Sequence, residues 1–219
     1  DNLDFRWELY PTTRELVSVS AFYKNFTNPI ELVINPMAAN IEGNYRNVPN
    51  ASLFGVEFEF RKNLDFITPA LKDLRASGNI TLIKSRLDIS PDELEQIRSR
   101  TPNAEATRAM FVQSPYSING ELAYINDSIG FNTSLSFNVF GPRIAAVSRG
   151  GTPNVYEQPR PTLDFSIGKR LGAIDVRLRA RNLLDPEYLK VQTLKNVDYI
   201  FSSYRIGRTF SLSLTYTIQ

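Results

Sequence analysis

Apolar and polar residues alternate one for one through stretch after stretch of this 219-residue sequence. Phe210, Leu212, Leu214, Tyr216 and Ile218 alternate with Ser211, Ser213, Thr215 and Thr217. Phe131, Thr133, Leu135, Phe137 and Val139 alternate with Asn132, Ser134, Ser136 and Asn138. Ile174, Val176, Leu178 and Ala180 share one parity, while Asp175, Arg177, Arg179 and Arg181 share the other. Phe54, Val56, Phe58 and Phe60 stand against Glu57, Glu59 and Arg61 in the same way. Successive side chains of a strand point to opposite faces, so each stretch gives a strand with one greasy and one polar face. The pattern predicts about nine strands, at roughly 3–10, 15–26, 52–64, 75–87, 115–126, 129–139, 161–170, 173–182 and 204–218. Many reach ~10 residues, against ~5–6 for an average soluble strand and ~9–11 for a tilted membrane-crossing strand.

The connections add a second signal. Pro11 to Arg14, Asp65 to Leu74, Asp127-Ser128 and Leu171-Gly172 are short or medium. Thr27 to Ala51, Asp88 to Ser114, Phe140 to Arg160 and Leu183 to Ser203 are long. The two kinds alternate. In an up-and-down antiparallel sheet, alternate connections lie at the same end, so one end receives tight turns and the other long loops. Bacterial outer-membrane barrels have that asymmetry; a Greek-key sandwich has no reason to produce it. The expected fold is therefore all-β, an antiparallel up-and-down transmembrane β-barrel. One helix is legible inside the 88–114 loop: Ser90 as N-cap, Pro91 at the first helical position and Glu93 three residues after the cap. Leu94 and Ile97 supply an apolar edge, and Glu95 can pair with Arg98.

Composition narrows the function classes. The chain has no His and no Cys, which excludes disulfides, thiolate zinc sites, His-based triads and His-metal catalysis. Its 25 Lys and Arg against 23 Asp and Glu give no mandate for nucleic acid. No apolar run is long enough for a spanning helix. The mean hydropathy of −0.25 is what a lipid face averaged with a polar lumen would give. Among the aromatics, Tyr10, Tyr23, Tyr116, Tyr124 and Tyr216 fall near predicted strand ends, where an interfacial girdle wants amphipathic rings. Single-chain bacterial barrels normally close with an even strand count, so nine strands do not close alone. With no signal peptide and an opening that falls directly into the alternation, the sequence reads as a portion of a larger chain, with missing strands upstream.

Arg181-Asn182-Leu183-Leu184-Asp185-Pro186-Glu187-Tyr188, then Tyr204-Arg205-Ile206-Gly207-Arg208-Thr209-Phe210, then the alternating terminal strand, form a fairly specific combination. Leu16 to Glu31 and Asn50 to Phe60 extend it upstream. Together they resemble the C-terminal part of the β-barrel of TonB-dependent outer-membrane receptors. The resemblance implies a barrel of about 22 strands plugged by an N-terminal domain, with residues 1–219 supplying the last nine strands as one unit. It implies a multi-pass barrel in the bacterial outer membrane that takes up a scarce or bulky nutrient (siderophore, cofactor, glycan or peptide) with TonB-coupled energy. Its implied partners are outer-membrane lipid and TonB, the latter through a plug domain absent from this sequence; some relatives also work with a surface lipoprotein. No cofactor or metal is implied. One departure stands out: such barrels usually end in an aromatic residue, whereas this sequence ends Ile218-Gln219. Either the signal is variant, or the chain stops short of the true end.

Nothing in the sequence converges on catalysis. Glu57 and Glu59 share a strand face about 7 Å apart, a spacing that a carboxylate pair could use. A Glu-x-Glu-x-Arg row is far more often a solvated or ion-paired face, and Gly150-Gly151 is a loop without a phosphate-binding pattern. The chain is read as no enzyme. The lumen and plug-facing candidates are Glu57, Glu59, Arg61, Arg177, Arg179 and Arg181, with Glu121 and Asp164 available to temper the arginine row. Ligand contacts are expected from the long loops, and the candidates there are Arg143, Arg149, Tyr156 and Arg160. The alternatives are a passive porin-like or structural barrel, and a soluble all-β binding module.

Overall fold

A computed structural model describes residues 1–35, 42–149 and 151–218. Part of the 27–51 loop, Gly150 and the terminal Gln219 lie outside the described residues. In chain order the strands begin with β1 (Asn2–Leu9), β2 (Leu16–Thr27), β3 (Ile30–Asn35), β4 (Glu42–Asn47), β5 (Asn50–Asn63) and β6 (Leu74–Asp88). Helix α1 (Pro91–Arg98) follows, then β7 (Thr107–Arg108), β8 (Tyr116–Asn126), β9 (Phe131–Phe140), β10 (Arg143–Ser148) and β11 (Val155–Glu157). The chain closes with β12 (Thr162–Leu171), β13 (Ile174–Arg181), β14 (Glu187–Leu194), β15 (Val197–Arg205) and β16 (Thr209–Tyr216).

Strands β1, β2, β5, β6, β8, β9, β12, β13 and β16 pair antiparallel in that order, with the short β7 beside β6. These are the nine strands that the alternation predicts. Only the last is misplaced at its start: Tyr204 and Arg205 belong to β15, because Gly207 at φ +85° breaks the chain's extended run before β16. The register keeps parity across the whole sheet. Leu9, Val17, Phe60, Gly78, Gly120, Phe137 and Leu163 face one another in a row over seven strands. Trp7, Val19, Phe58, Ile80, Ile118 and Val139 make the adjacent row. This apolar face stays open: Phe5 is 67% exposed, Phe54 52% and Leu212 62%. Of the five tyrosines expected at strand ends, Tyr23, Tyr116, Tyr124 and Tyr216 have this face's parity. Tyr10 does not; its hydroxyl donates to Glu8 on the polar face at 2.5 Å.

The long loops are not the plain connections that the sequence suggests. Strands β15, β14, β11, β10, β3 and β4 form a second sheet in that order. It is assembled from three of those loops, with β3 and β10 parallel. Alternation misses it for a physical reason. Ile144, Ala146, Val147 and Ser148 are all buried, so parity along β10 no longer separates apolar from polar. Between β14 and β15, Lys195 and Asn196 both take positive φ, as a two-residue type I′ hairpin requires. The buried apolar clusters lie at this loop end: Val33, Ile144 and Val147 with Phe111; Ile34, Ala146 and Val155; and Val48, Ala51 and Leu87 with Phe26 and Met110. Helix α1 starts after Ser90 as expected, but Ser90 makes no side-chain cap bond. Glu93 instead pairs with Arg46, and Arg98 donates to the Ala104 carbonyl rather than pairing with Glu95.

Ile144 is fully buried at the centre of the loop sheet. Ile144→Ala is expected to cost about 2–5 kcal/mol through lost burial and the cavity left behind. In the full-length protein this should appear as faster amide exchange in β3, β10 and β11, with exchange in the nine-stranded sheet unchanged.

Candidate functional site

The polar face of the nine-stranded sheet carries a bonded network at one side and a bare cationic row at the other. On β1, Arg6 donates to Glu59 of β5 at 2.8 Å, to Glu8 at 2.5 Å and to Ser20 of β2 at 3.3 Å. Three asparagines continue the row across the next strands: Asn119 donates to Asn79 at 2.6 Å, and Asn138 donates to Asn119 at 2.5 Å. Ser136 donates to Glu121 at 3.2 Å, and Ser134 and Ser166 share a 2.8 Å bond. Glu59, Arg61, Asn79, Asn119, Glu121 and Asp164 line one shallow groove along this face. Glu57 faces Ser20 and Thr81 across the sheet, and Arg61 faces Leu16 and Ser77.

Arg177, Arg179 and Arg181 all lie exposed on this same face, on β13. Their cross-strand neighbours on β16 are Ser213, Ser211 and Thr209, and Gly168 and Ser166 flank the first two from β12. No carboxylate of the described residues pairs with them. Of the two acids expected to temper the row, Glu121 accepts from Ser136, whereas Asp164 accepts the Asn182 backbone amide at 2.8 Å and lines one pocket with Arg179 and Arg181 without an ion pair.

The loop end holds a cationic and aromatic cluster. Arg143, at the start of β10, donates to Glu157 at 2.9 Å, and its guanidinium lies 4.2 Å from the Phe140 ring centre. Arg160 lies 4.9 Å from the Tyr188 ring centre, with Lys190 at 5.5 Å. Tyr188 and Tyr204 stack across β14 and β15 at 4.7 Å. Glu157 is 4% exposed, and its second oxygen finds no partner among the described residues; neither does the Arg160 Nε. Burial, and then the neighbouring Glu157 carboxylate, push the Tyr188 phenol up. Burial also raises Tyr156. Both phenols therefore stay protonated near neutrality and can act as hydrogen-bond donors. Of the four loop candidates, Arg143 and Arg160 meet in this cluster. Tyr156 sits beside it on β11, paired with Val191 of β14. Arg149 is exposed; its amide donates to the Ile34 carbonyl at 3.2 Å and its carbonyl accepts from the Thr152 amide at 3.3 Å. Glu157, Tyr188 and Lys190 escaped the sequence reading because β11 and β14 lie within stretches read as loops; the alternation of Val155-Tyr156-Glu157 is their only local sign.

Two further contacts hold the loops in place. Arg108 forks onto Glu31 with bonds of 2.7 and 2.5 Å, both side chains nearly buried. Val112 takes φ +61°, a strained conformation for a β-branched residue, and its amide bonds the Ile144 carbonyl at 2.9 Å. At the top of β13 the chain is tied by its own short motif. Asn182 donates through its side chain to the Gly207 carbonyl at 2.8 Å, and the Gly207 amide donates to Asp185 at 3.0 Å. Arg208 donates to the Leu183 carbonyl at 2.8 Å.

An antiparallel wall with one open apolar face, tight turns at one end and a folded loop layer at the other defines part of a β-barrel of the transmembrane type. Residues 1–183 match the model of the "TonB dependent receptor-like, beta-barrel" family, and the chain belongs to that family. Among solved structures it is similar to a mutant of the ferric enterobactin receptor PfeA from Pseudomonas aeruginosa, with 19% identity and a TM-score of 0.60 over 98% of this chain and 30% of that one. It is similar to the copper transporter OprC, with 14% identity and a TM-score of 0.64 over 98% and 30% of the two chains. It is also similar to the siderophore receptor PirA from Acinetobacter baumannii, with 14% identity and a TM-score of 0.58 over 98% and 31%. The chain thus spans about a third of the length of these proteins. No curated protein sequence matches it.

The Glu31–Arg108 pair offers a direct check on the loop architecture. Glu31→Ala leaves a nearly buried guanidinium unpaired and should cost about 3–5 kcal/mol. Replacing both partners by Leu and Met should recover most of that loss. Protease cleavage between β2 and β5 in the full-length protein reads both effects.

Proposed function

We propose that this chain is the C-terminal part of the barrel of a bacterial outer-membrane receptor that imports a scarce or bulky nutrient with TonB-coupled energy. The observation that carries the reading is the open apolar face, in register from β1 to β16 and backed by a polar face. In water such a face would be a large aggregation hazard; against lipid it is the required surface. The short turns then lie on the periplasmic side and the loop sheet outside. Residues 1–219 act as one unit, the last nine strands of the barrel. TonB is reached through a plug domain on another part of the protein, and the folded loop layer offers a seat for a surface lipoprotein.

The lumen row Arg177, Arg179 and Arg181 supports contact with a carboxylate-bearing plug, since none of the three is ion-paired among the described residues although Asp164 and Asp175 lie on the same face. Glu57, Glu59 and Arg61, five strands away on the same face, would meet the same plug. In the loops, Arg143, Arg160 and Lys190 around stacked tyrosines suit an anionic ligand rich in π-faces, such as a metal chelate. The family is one of receptors and transporters.

Membrane fractionation of cells expressing the full-length protein tests the barrel. Recovery in the membrane fraction, released only by detergent, is expected; recovery in the aqueous fraction would sink the proposal. Uptake of labelled iron chelates by those cells should cease when the proton-motive force is collapsed. Uptake that persists would instead favour a passive pore. Phe58→Arg, in the middle of the apolar face, should destabilise the folded barrel by about 2–4 kcal/mol, measured by urea titration in lipid vesicles, whereas the polar-face change Asn119→Arg should cost far less.

A further inference from the structure

At the loop end of the sheet the apolar face stops abruptly. The row Phe5, Ala21, Val56, Leu82 and Tyr116 is apolar or aromatic throughout. The next row reads Leu3, Tyr23, Phe54 and Lys84, and the one beyond reads Asn25, Ser52 and Arg86. Two cations therefore stand on the lipid side of β6, one just above the last apolar row and one a step further out. Tyr23, Asn25, Asn50, Ser52, Arg86 and Asp88 line a shallow pocket there.

These cations differ from those on the same face at the turn end. Lys62 is engaged by Glu15 at 2.9 Å, and Lys169 donates to the Ile129 carbonyl at 2.6 Å. Lys84 has no partner among the described residues. Arg86 has only a loose contact with Asp88 at 3.8 Å, with both side chains more than half exposed. Lys84, left without a counter-charge at the rim of an apolar band, and Arg86, only loosely held by Asp88, are open to a ligand from the lipid side. The amides of Asn25 and Asn50 and the hydroxyl of Ser52 add neutral donors beside it.

We propose that Lys84 and Arg86, with Asn25, Asn50 and Ser52, bind the phosphate of an anionic lipid headgroup at the outer rim of the barrel. The acyl chains would lie against Phe54, Leu82 and Tyr116, on the apolar surface directly below. Guanidinium and ammonium groups favour phosphate oxygens through charge-assisted bonds. The adjoining apolar rows select a lipid over a free anion. The site rests on the barrel reading above.

The test uses the full-length protein in a neutral detergent and counts bound lipid by native mass spectrometry. Phosphatidic acid, diacylglycerol and inorganic phosphate are the probes. The wild type should bind phosphatidic acid and not diacylglycerol, and inorganic phosphate at the same concentration should not displace it. The double variant Lys84→Gln/Arg86→Gln should weaken that binding about tenfold or more, while Lys62→Gln/Lys169→Gln should leave it unchanged. Equal binding by the first variant, or an equal loss in the second, overturns the site. Displacement by inorganic phosphate would show a simple anion site instead and equally overturns the lipid assignment. Should the first variant fail to fold, the wild type's preference for phosphatidic acid over diacylglycerol decides alone. Every sample is first fractionated: a protein that leaves the membrane without detergent refutes the barrel, whereas an intact barrel without lipid discrimination refutes only this site.

Discussion

Backbone hydrogen bonds across the nine-stranded sheet join residues of like parity, so a row that begins apolar on β1 stays apolar strand after strand. Leu9 meets Val17, Val17 meets Phe60, and the row runs on to Leu163 without a slip. A one-residue shift in any pair would carry that strand's apolar set to the polar face and its charges to the apolar one. The two surfaces of the molecule therefore exist only because the register is unbroken. In a membrane setting the same pairing has a second duty, since no water is present to satisfy an unpaired amide or carbonyl.

Stability is distributed unusually as a result. The wall contributes hydrogen bonds and an apolar surface left open among the described residues, while the buried side chains concentrate in the loop layer around Ile144, Val147 and Val155. The loops behave as a small soluble domain built onto one rim, held by the Glu31–Arg108 fork and by the parallel pairing of β3 with β10. A rigid loop layer suits a binding surface. Arg143 and Tyr188 of the cluster sit on strands rather than on slack chain, which would fix its geometry in advance for the proposed ligand.

The wall was legible in the sequence because its environment has period two: lipid-compatible on one side, polar on the other. Phe131 to Val139 and Phe210 to Ile218 state that pattern outright. The loop sheet was not legible, because β3, β4, β10 and β11 are short and β3 and β10 carry consecutive buried residues. Ile144 to Ser148 reads as a plain apolar run, and Glu31 breaks the apolar parity of β3 only because Arg108, far along the chain, neutralises it. Arg143 and Arg160 could be picked as charged loop residues, but Glu157 and Lys190 could not. Their significance comes from β11 lying against β14, a pairing across more than thirty residues of sequence that no local pattern encodes. Tyr10 shows the converse failure. Its position at a strand end suggests a girdle residue, yet one step of parity places it with Glu8 on the polar side.

The short motif around Asn182 and Gly207 has a backbone task that follows from where it sits. At the top of β13 the chain must leave the wall, form the β14–β15 hairpin and return to start β16 beside β13. Asn182 and Asp185 both adopt positive φ, which turns the chain at the cost that only Asn, Asp and Gly tolerate well. Their side chains then bridge to Gly207 from both directions: the Asn182 amide gives a bond to its carbonyl, and the Asp185 carboxylate takes one from its amide. Gly207 itself needs the left-handed conformation, φ +85°, to present both groups. Leu183 keeps a backbone bond to Leu163 of β12, which ties the same corner to the next strand. Asn182, Asp185 and Gly207 together close the base of the last loop. That closure sets where β16 begins, and with it the register of the wall's final strand.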